Sequence, residues 1–121
     1  MRKYSFEKLQ VWQLSRAFTA DMYRLTKSFP ADEKFGLISQ IRRSASSVPA
    51  NLAEGSARVS GKEKARFTEV AFGSLIETLN HLIIASDLGY INADVIDALR
   101  PKIEEISNKL NALRRSQLKS K

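Results

Sequence analysis

The sequence predicts an all-α chain folded as an antiparallel up-down four-helix bundle, on three observations. Four long segments carry apolar residues at helical spacing. They are separated only by the short breaks "FPAD", "ARVSGKE" and "LGYINAD". No run of useful length alternates apolar and polar residues as a half-buried strand would. Short connections between long helices make sequential helices antiparallel neighbours.

The breaks locate each element in turn. Pro30 followed by Asp32 and Glu33 marks a helix start just after Phe29. Ser60 with Glu63 three residues on reads as a capping box, and Gly89 followed by Asn92 reads as a glycine stop and a new N-cap. Helices are therefore expected over residues 6–28, 31–57, 61–88 and 93–117. Pro49 and Pro101 fall inside the second and fourth, where each removes one backbone donor and is expected to bend its helix.

At 121 residues and 43% hydrophobic content the chain is one domain, spanning 1–121, small enough to gain from self-association. It has no cysteine, which excludes disulfides and thiolate metal sites. The N-terminal "MRKYSFEKLQ" has no apolar signal region, and apolar runs such as "LIIA" are too short to span a bilayer. A soluble, cytoplasmic protein with no membrane partner is expected. Twenty Lys and Arg against thirteen Asp and Glu give a net charge of +7, which favours polyanionic partners. Residues 1–30 hold six basic and two acidic side chains and residues 100–121 seven and two, while residues 60–99 hold three and six.

A helical wheel separates core stripes from second faces. The expected core is Val11, Leu14, Phe18, Met22, Leu25 and Phe29 in the first helix, with Leu37, Ile38, Ile41, Ala45, Val48 and Leu52 in the second. Thr68, Phe72, Leu75, Ile76, Leu79, Leu82, Ile83 and Ser86 form the stripe of the third. Val95, Leu99, Ile103, Ile106, Leu110 and Leu113 form that of the fourth. Leu9, Trp12 and Tyr23 fall outside the first stripe. In the third helix a further seam, Val70, Ser74, Glu77, His81, Ile84 and Leu88, has heptad spacing. A four-helix bundle needs one apolar stripe per helix, so these extra residues are expected at an oligomer interface.

The stretch "RRSASSVPANLAEG" puts Arg43, Ser47, Ala50, Asn51, Glu54 and Arg58 on a polar face where small residues admit a close neighbour. Arg43 and Glu54 are eleven residues apart, about 16 Å along a helix, so their partners must come from other elements. Glu77 is expected to pair with one of the arginines. Arg42 or Arg43, Asn51, Glu54 and Glu77 are accordingly expected to form a buried or half-buried hydrogen-bonded network at a helix or subunit contact. Truncation of any member would then cost several kcal/mol.

Three stretches, "LQVWQLSRAF", "FPADEKFGLISQIRRSASSVPANLAEG" and "VAFGSLIETLNHLIIASDLGYI", closely resemble the four-helix-bundle family first described from intervening sequences in large-subunit ribosomal RNA genes. That family is related to the accessory variability protein of diversity-generating retroelements. The resemblance covers about residues 6–91; beyond that, only helical and basic character is shared. It implies a homopentameric barrel with a basic surface. In the retroelement relatives such a barrel holds nucleic acid and associates with a reverse transcriptase.

Catalytic chemistry finds little support in the residues. "GKEKARF" has Gly61 and Lys62 but lacks the further glycine and the Ser or Thr of a nucleotide loop. Glu77 and the lone histidine, His81, are four apart with no second Glu-x-x-His, so a Glu–His hydrogen bond is expected in place of a metal site. No enzyme activity and no cofactor are expected. Two readings remain: a basic scaffold binding RNA or DNA, or a structural interaction module whose charge serves solubility. For the first, the candidate contacts are Arg58, Lys62, Lys64 and Arg66 around the second turn, with Arg114, Arg115, Lys119 and Lys121 in the tail.

Overall fold

The computed structural model describes residues 3–120. Four helices make up the fold: α1 (Gln10–Thr26), α2 (Leu37–Ser56), α3 (Gly61–Asp87) and α4 (Ala93–Lys119). No strand occurs among the described residues. Each helix touches the next, and α1 meets α4 to close the bundle. The core is built from Val11, Phe18 and Met22 of α1, Ile41, Val48 and Leu52 of α2, Leu75 and Leu82 of α3, and Ile103, Ile106 and Leu110 of α4.

The cap of α4 forms as the sequence predicts, and at α3 one half of the expected capping box forms, with no described bond from the Ser60 N–H to the Glu63 carboxylate. Ser60 Oγ accepts the Glu63 N–H at 3.1 Å, and Asn92 Oδ1 accepts those of Asp94 and Val95 at 3.0 and 3.3 Å. Gly89 takes a φ of +81°, while the Tyr90 N–H reaches back to the Ala85 carbonyl at 2.9 Å and the Gly89 N–H to that of Ser86 at 3.0 Å. Those two bonds satisfy carbonyls that the helix end would otherwise leave open.

The starts of α1 and α2 differ from expectation. Leu9 is extended, so α1 starts at Gln10 and the preceding residues form a separate 3-10 turn, Ser5–Lys8. A second turn, Ala31–Glu33, precedes α2, which starts only at Leu37. There Glu33 Oε1 accepts the Leu37 N–H at 3.0 Å and Oε2 accepts the Tyr90 hydroxyl at 2.8 Å. One carboxylate therefore caps α2 and ties it to the α3–α4 connection. Glu33 is held below the usual carboxylate range, chiefly by the Leu37 N–H and then by the Tyr90 hydroxyl. Bonding to Glu33 pushes the Tyr90 phenol up.

The buried sector of α3 is also corrected. Ile76 and Ile83, expected in the core, are 45% and 39% exposed, whereas Ala71, Thr78 and Ala85 are buried. The cause is the small-residue face of α2. Ser44 Oγ lies 2.8 Å from Thr78 Oγ1 in a buried pair, and Ser47 Oγ lies 2.9 Å from Ser74 Oγ. Small side chains let α2 and α3 approach closely, which turns the Ala and Thr side of α3 inward and its isoleucines out. Gly55 belongs to the same contact, since a Cβ there would come within 2.8 Å of Phe67 Cβ.

Candidate nucleic-acid interface

Three close approaches bring the α2–α3 turn and the end of α4 together. Thr68 Oγ1 donates to Gln117 Oε1 at 2.7 Å, and Arg114 Nε donates to Glu69 Oε2 at 2.6 Å. Gly61 opens α3 directly against the Gln117 carbonyl, where any Cβ would collide with backbone. The two groups of cations that the sequence separates by about fifty residues thus share one end of the bundle.

Their states differ. Arg58 lies over the Phe67 ring at 4.8 Å and pairs with Glu54 at 3.7 Å, and Arg114 is engaged by Glu69. Lys62, Arg66, Arg115 and Lys119 are exposed and Lys64 is half-buried. None of these five has a described carboxylate within 4.0 Å. Lys121 lies outside the described residues. An open recess of about 470 Å³ between Arg58, Glu63, Arg66 and Phe67 lies among them. Sequence reading missed Lys8 in the first 3-10 turn and Lys3 just before it, which lie at the same end, although the basic N-terminal quarter signalled them.

The five residues expected in one network fall into separate groups within the chain. Arg42 turns to α1, donating from Nε to Thr26 Oγ1 at 2.9 Å and lying over the Tyr23 ring at 4.6 Å. Arg43 turns to α3, 3.6 Å from Glu77, whose same oxygen is 3.1 Å from His81 Nε2. Asn51 bonds the Ser47 carbonyl and hydroxyl, and among the described residues Glu54 meets only Arg58. Adjacent residues on a helix point about 100° apart, so Arg42 and Arg43 serve different neighbours. Both carboxylates are substantially solvated, at 41% for Glu77 and 59% for Glu54, so pairs of this kind contribute about 0.2–1 kcal/mol. The expected several kcal/mol per truncation does not follow from the chain alone.

The residues expected at an oligomer interface also divide. Trp12 is covered in part by Phe6 of the first 3-10 turn, edge-on at 5.0 Å, and by Arg16 at 5.3 Å. Leu9 is half-buried, whereas Tyr23, although Arg42 lies over its ring, remains 44% exposed. On α3, by contrast, Val70, Ile84 and Leu88 are 49%, 39% and 54% exposed, and the displaced Ile76 and Ile83 add to them. His81 sits half-buried at the margin of this face.

Fold and surface define a class: a four-helix bundle with a cation-rich end, an apolar outer face on α3, and no His, Cys, Asp or Glu cluster suited to a metal among the described residues. No described helix is long and apolar enough to cross a membrane. The chain belongs to the 23S rRNA-intervening sequence protein family, whose sequence model matches residues 7–112. A crystal structure of a protein of unknown function from the S23 ribosomal protein family of Bacteroides thetaiotaomicron superposes with a TM-score of 0.79. That match covers 87% of this chain and 95% of the other at 24% identity, a likeness of fold. No curated protein matches the chain.

Proposed function

We propose that this protein is a non-catalytic, self-associating scaffold of antiparallel bundles that holds RNA or DNA by its phosphates. The observation that carries the reading is the convergence of unpaired cations from the α2–α3 turn and the α4 tail on one end. Cations without carboxylate partners keep their charge for phosphates and release counterions when they bind. Membership of the 23S rRNA-intervening sequence protein family agrees with a ribonucleic context. Five copies per assembly and a reverse transcriptase as a protein partner extend the reading by resemblance to the retroelement accessory proteins.

The test is fluorescence anisotropy with unrelated RNA and DNA oligomers across a salt series. Wild type should bind at low salt with little sequence preference and lose affinity steeply as salt rises. Lys62→Ala, Lys64→Ala and Arg66→Ala combined should weaken binding to every oligomer and flatten the salt dependence. Equal binding by the triple variant removes this surface. The exposed α3 face favours a second reading, a structural interaction module with no nucleic-acid role, which absence of binding by wild type would support.

A further inference from the structure

We propose that the molecule is electrically one-ended and meets a nucleic acid end-on, through a surface to which the N-terminal turn contributes as a third element. This proposal rests on the nucleic-acid reading above. The helix pairings fix which residues share an end: Ser47 meets Ser74, Asp21 meets Lys102, Gln10 meets Lys109 and Glu69 meets Arg114. Residues 3–16, 50–70 and 105–120 therefore lie towards one end, and residues 17–49 and 71–104 towards the other. The first set carries eleven Lys and Arg against five Asp and Glu, and the second seven against eight. The excess positive charge of the described residues lies wholly at one end.

Pairing sharpens the contrast. At the near-neutral end Arg24 and Lys102 share Asp21, Arg43 meets Glu77, Arg100 meets Asp97, and Arg42 is committed to Tyr23 and Thr26. Four of its seven cations are thus paired with a carboxylate, while Lys27, Lys34 and Arg42 have none described within 4.0 Å. At the basic end only Arg58 and Arg114 have a described carboxylate within 4.0 Å, so Lys3, Lys8, Lys62, Arg66, Arg115 and Lys119 do not. Packing of Phe6 on Trp12 holds the N-terminal turn against α1 at this end. Phosphate contacts release counterions only where protein cations are not already compensated, so affinity should concentrate there.

The experiment compares two charge reversals of equal size. One variant carries Lys62→Glu, Arg66→Glu and Arg115→Glu; the other carries Lys27→Glu, Lys34→Glu and Arg100→Glu. Circular dichroism melts confirm that each is folded, and anisotropy is read at one low salt with single-stranded and duplex oligomers, both RNA and DNA. The basic-end variant should lose about tenfold or more in affinity, and the other should stay within about twofold of wild type. Lys3→Glu with Lys8→Glu should also weaken binding. Equal loss in both triple variants means that net charge alone acts and overturns the end-on surface. Failure of wild type to bind any oligomer overturns the nucleic-acid reading and this one with it, whereas wild-type binding with equal losses sinks this one alone.

Discussion

At the scale of single residues, Pro49 shows how a local defect is repaired from outside its helix. Proline has no N–H to give the Ala45 carbonyl one turn back, and Thr19 Oγ1 of α1 approaches that carbonyl at 3.1 Å. The same hydroxyl lies 2.8 Å from the Ser15 carbonyl, so its one proton is shared. Thr19→Val keeps the shape and removes the donor, and should cost about 1 kcal/mol in urea unfolding. In a Pro49→Ala background, where the backbone can supply its own N–H, the cost should shrink; equal costs in both backgrounds would show that Thr19 does not serve Ala45. The sequence makes the proline's missing bond legible, but not its replacement, because Thr19 comes from another helix. The same holds for Arg42 and Arg43. Their shared charge invites one network, and only the direction of each side chain separates a contact to α1 from a contact to α3.

The elements were legible where local chemistry defines them. Ser60, Gly89 and Asn92 mark their helix ends through bonds to nearby backbone, and the structure keeps all three. The true starts of α1 and α2 were not legible, because 3-10 turns share composition with helices and differ in backbone angle. Nor was the rotation of α3, since hydrophobicity weights Ile76 and Ile83 while close approach favours Ala71 and Thr78. The seam between α1 and α4 adds polar ties to its apolar packing. Asp21 accepts from Arg24 at 2.6 Å and from Lys102 at 3.3 Å, above a groove lined by Leu14, Phe18 and Ile106. Burial alone pushes the Asp21 carboxyl up, but the bonds and charges of Arg24 and Lys102 together outweigh it and leave it below its usual value. A carboxyl depressed in the folded state contributes stability that is full above its unfolded pKa and fades as pH falls through the folded one. Asp21→Asn should therefore cost about 0.5–1 kcal/mol near neutral pH and converge on wild type in acid. Parallel stability curves for the two proteins from about pH 7 to about pH 3 would remove Asp21 as the tie.

For the whole molecule, the open question is what covers the outside of α3. Its 27 residues extend about 40 Å, and Val70, Ile76, Ile83 and Ile84 lie exposed on it, with Leu88 exposed at its C-cap. No other described helix carries so much exposed aliphatic surface: Tyr23 is the large exposed apolar residue of α1 and Leu118 that of α4. Fully burying one such side chain contributes about 1.5–3 kcal/mol, so several together could offset the entropy lost on association. The half-buried His81 and the Arg43–Glu77 pair at the margin would give the contact a polar rim. A second copy of the chain is the proposed cover. In a cyclic assembly every copy would present its basic end on the same rim, multiplying the charge available to one nucleic acid. Wild type at micromolar concentration should scatter light as a multiple of 13.6 kDa. Val70→Glu with Ile84→Glu should shift it to the single-chain mass while leaving helix content unchanged, because both positions are already exposed in the folded chain. Nucleic-acid affinity of that variant should fall with the loss of multivalency even though every cation is retained. A wild-type mass of one chain, or an assembly indifferent to the two glutamates, would rule out α3 as the surface through which copies meet.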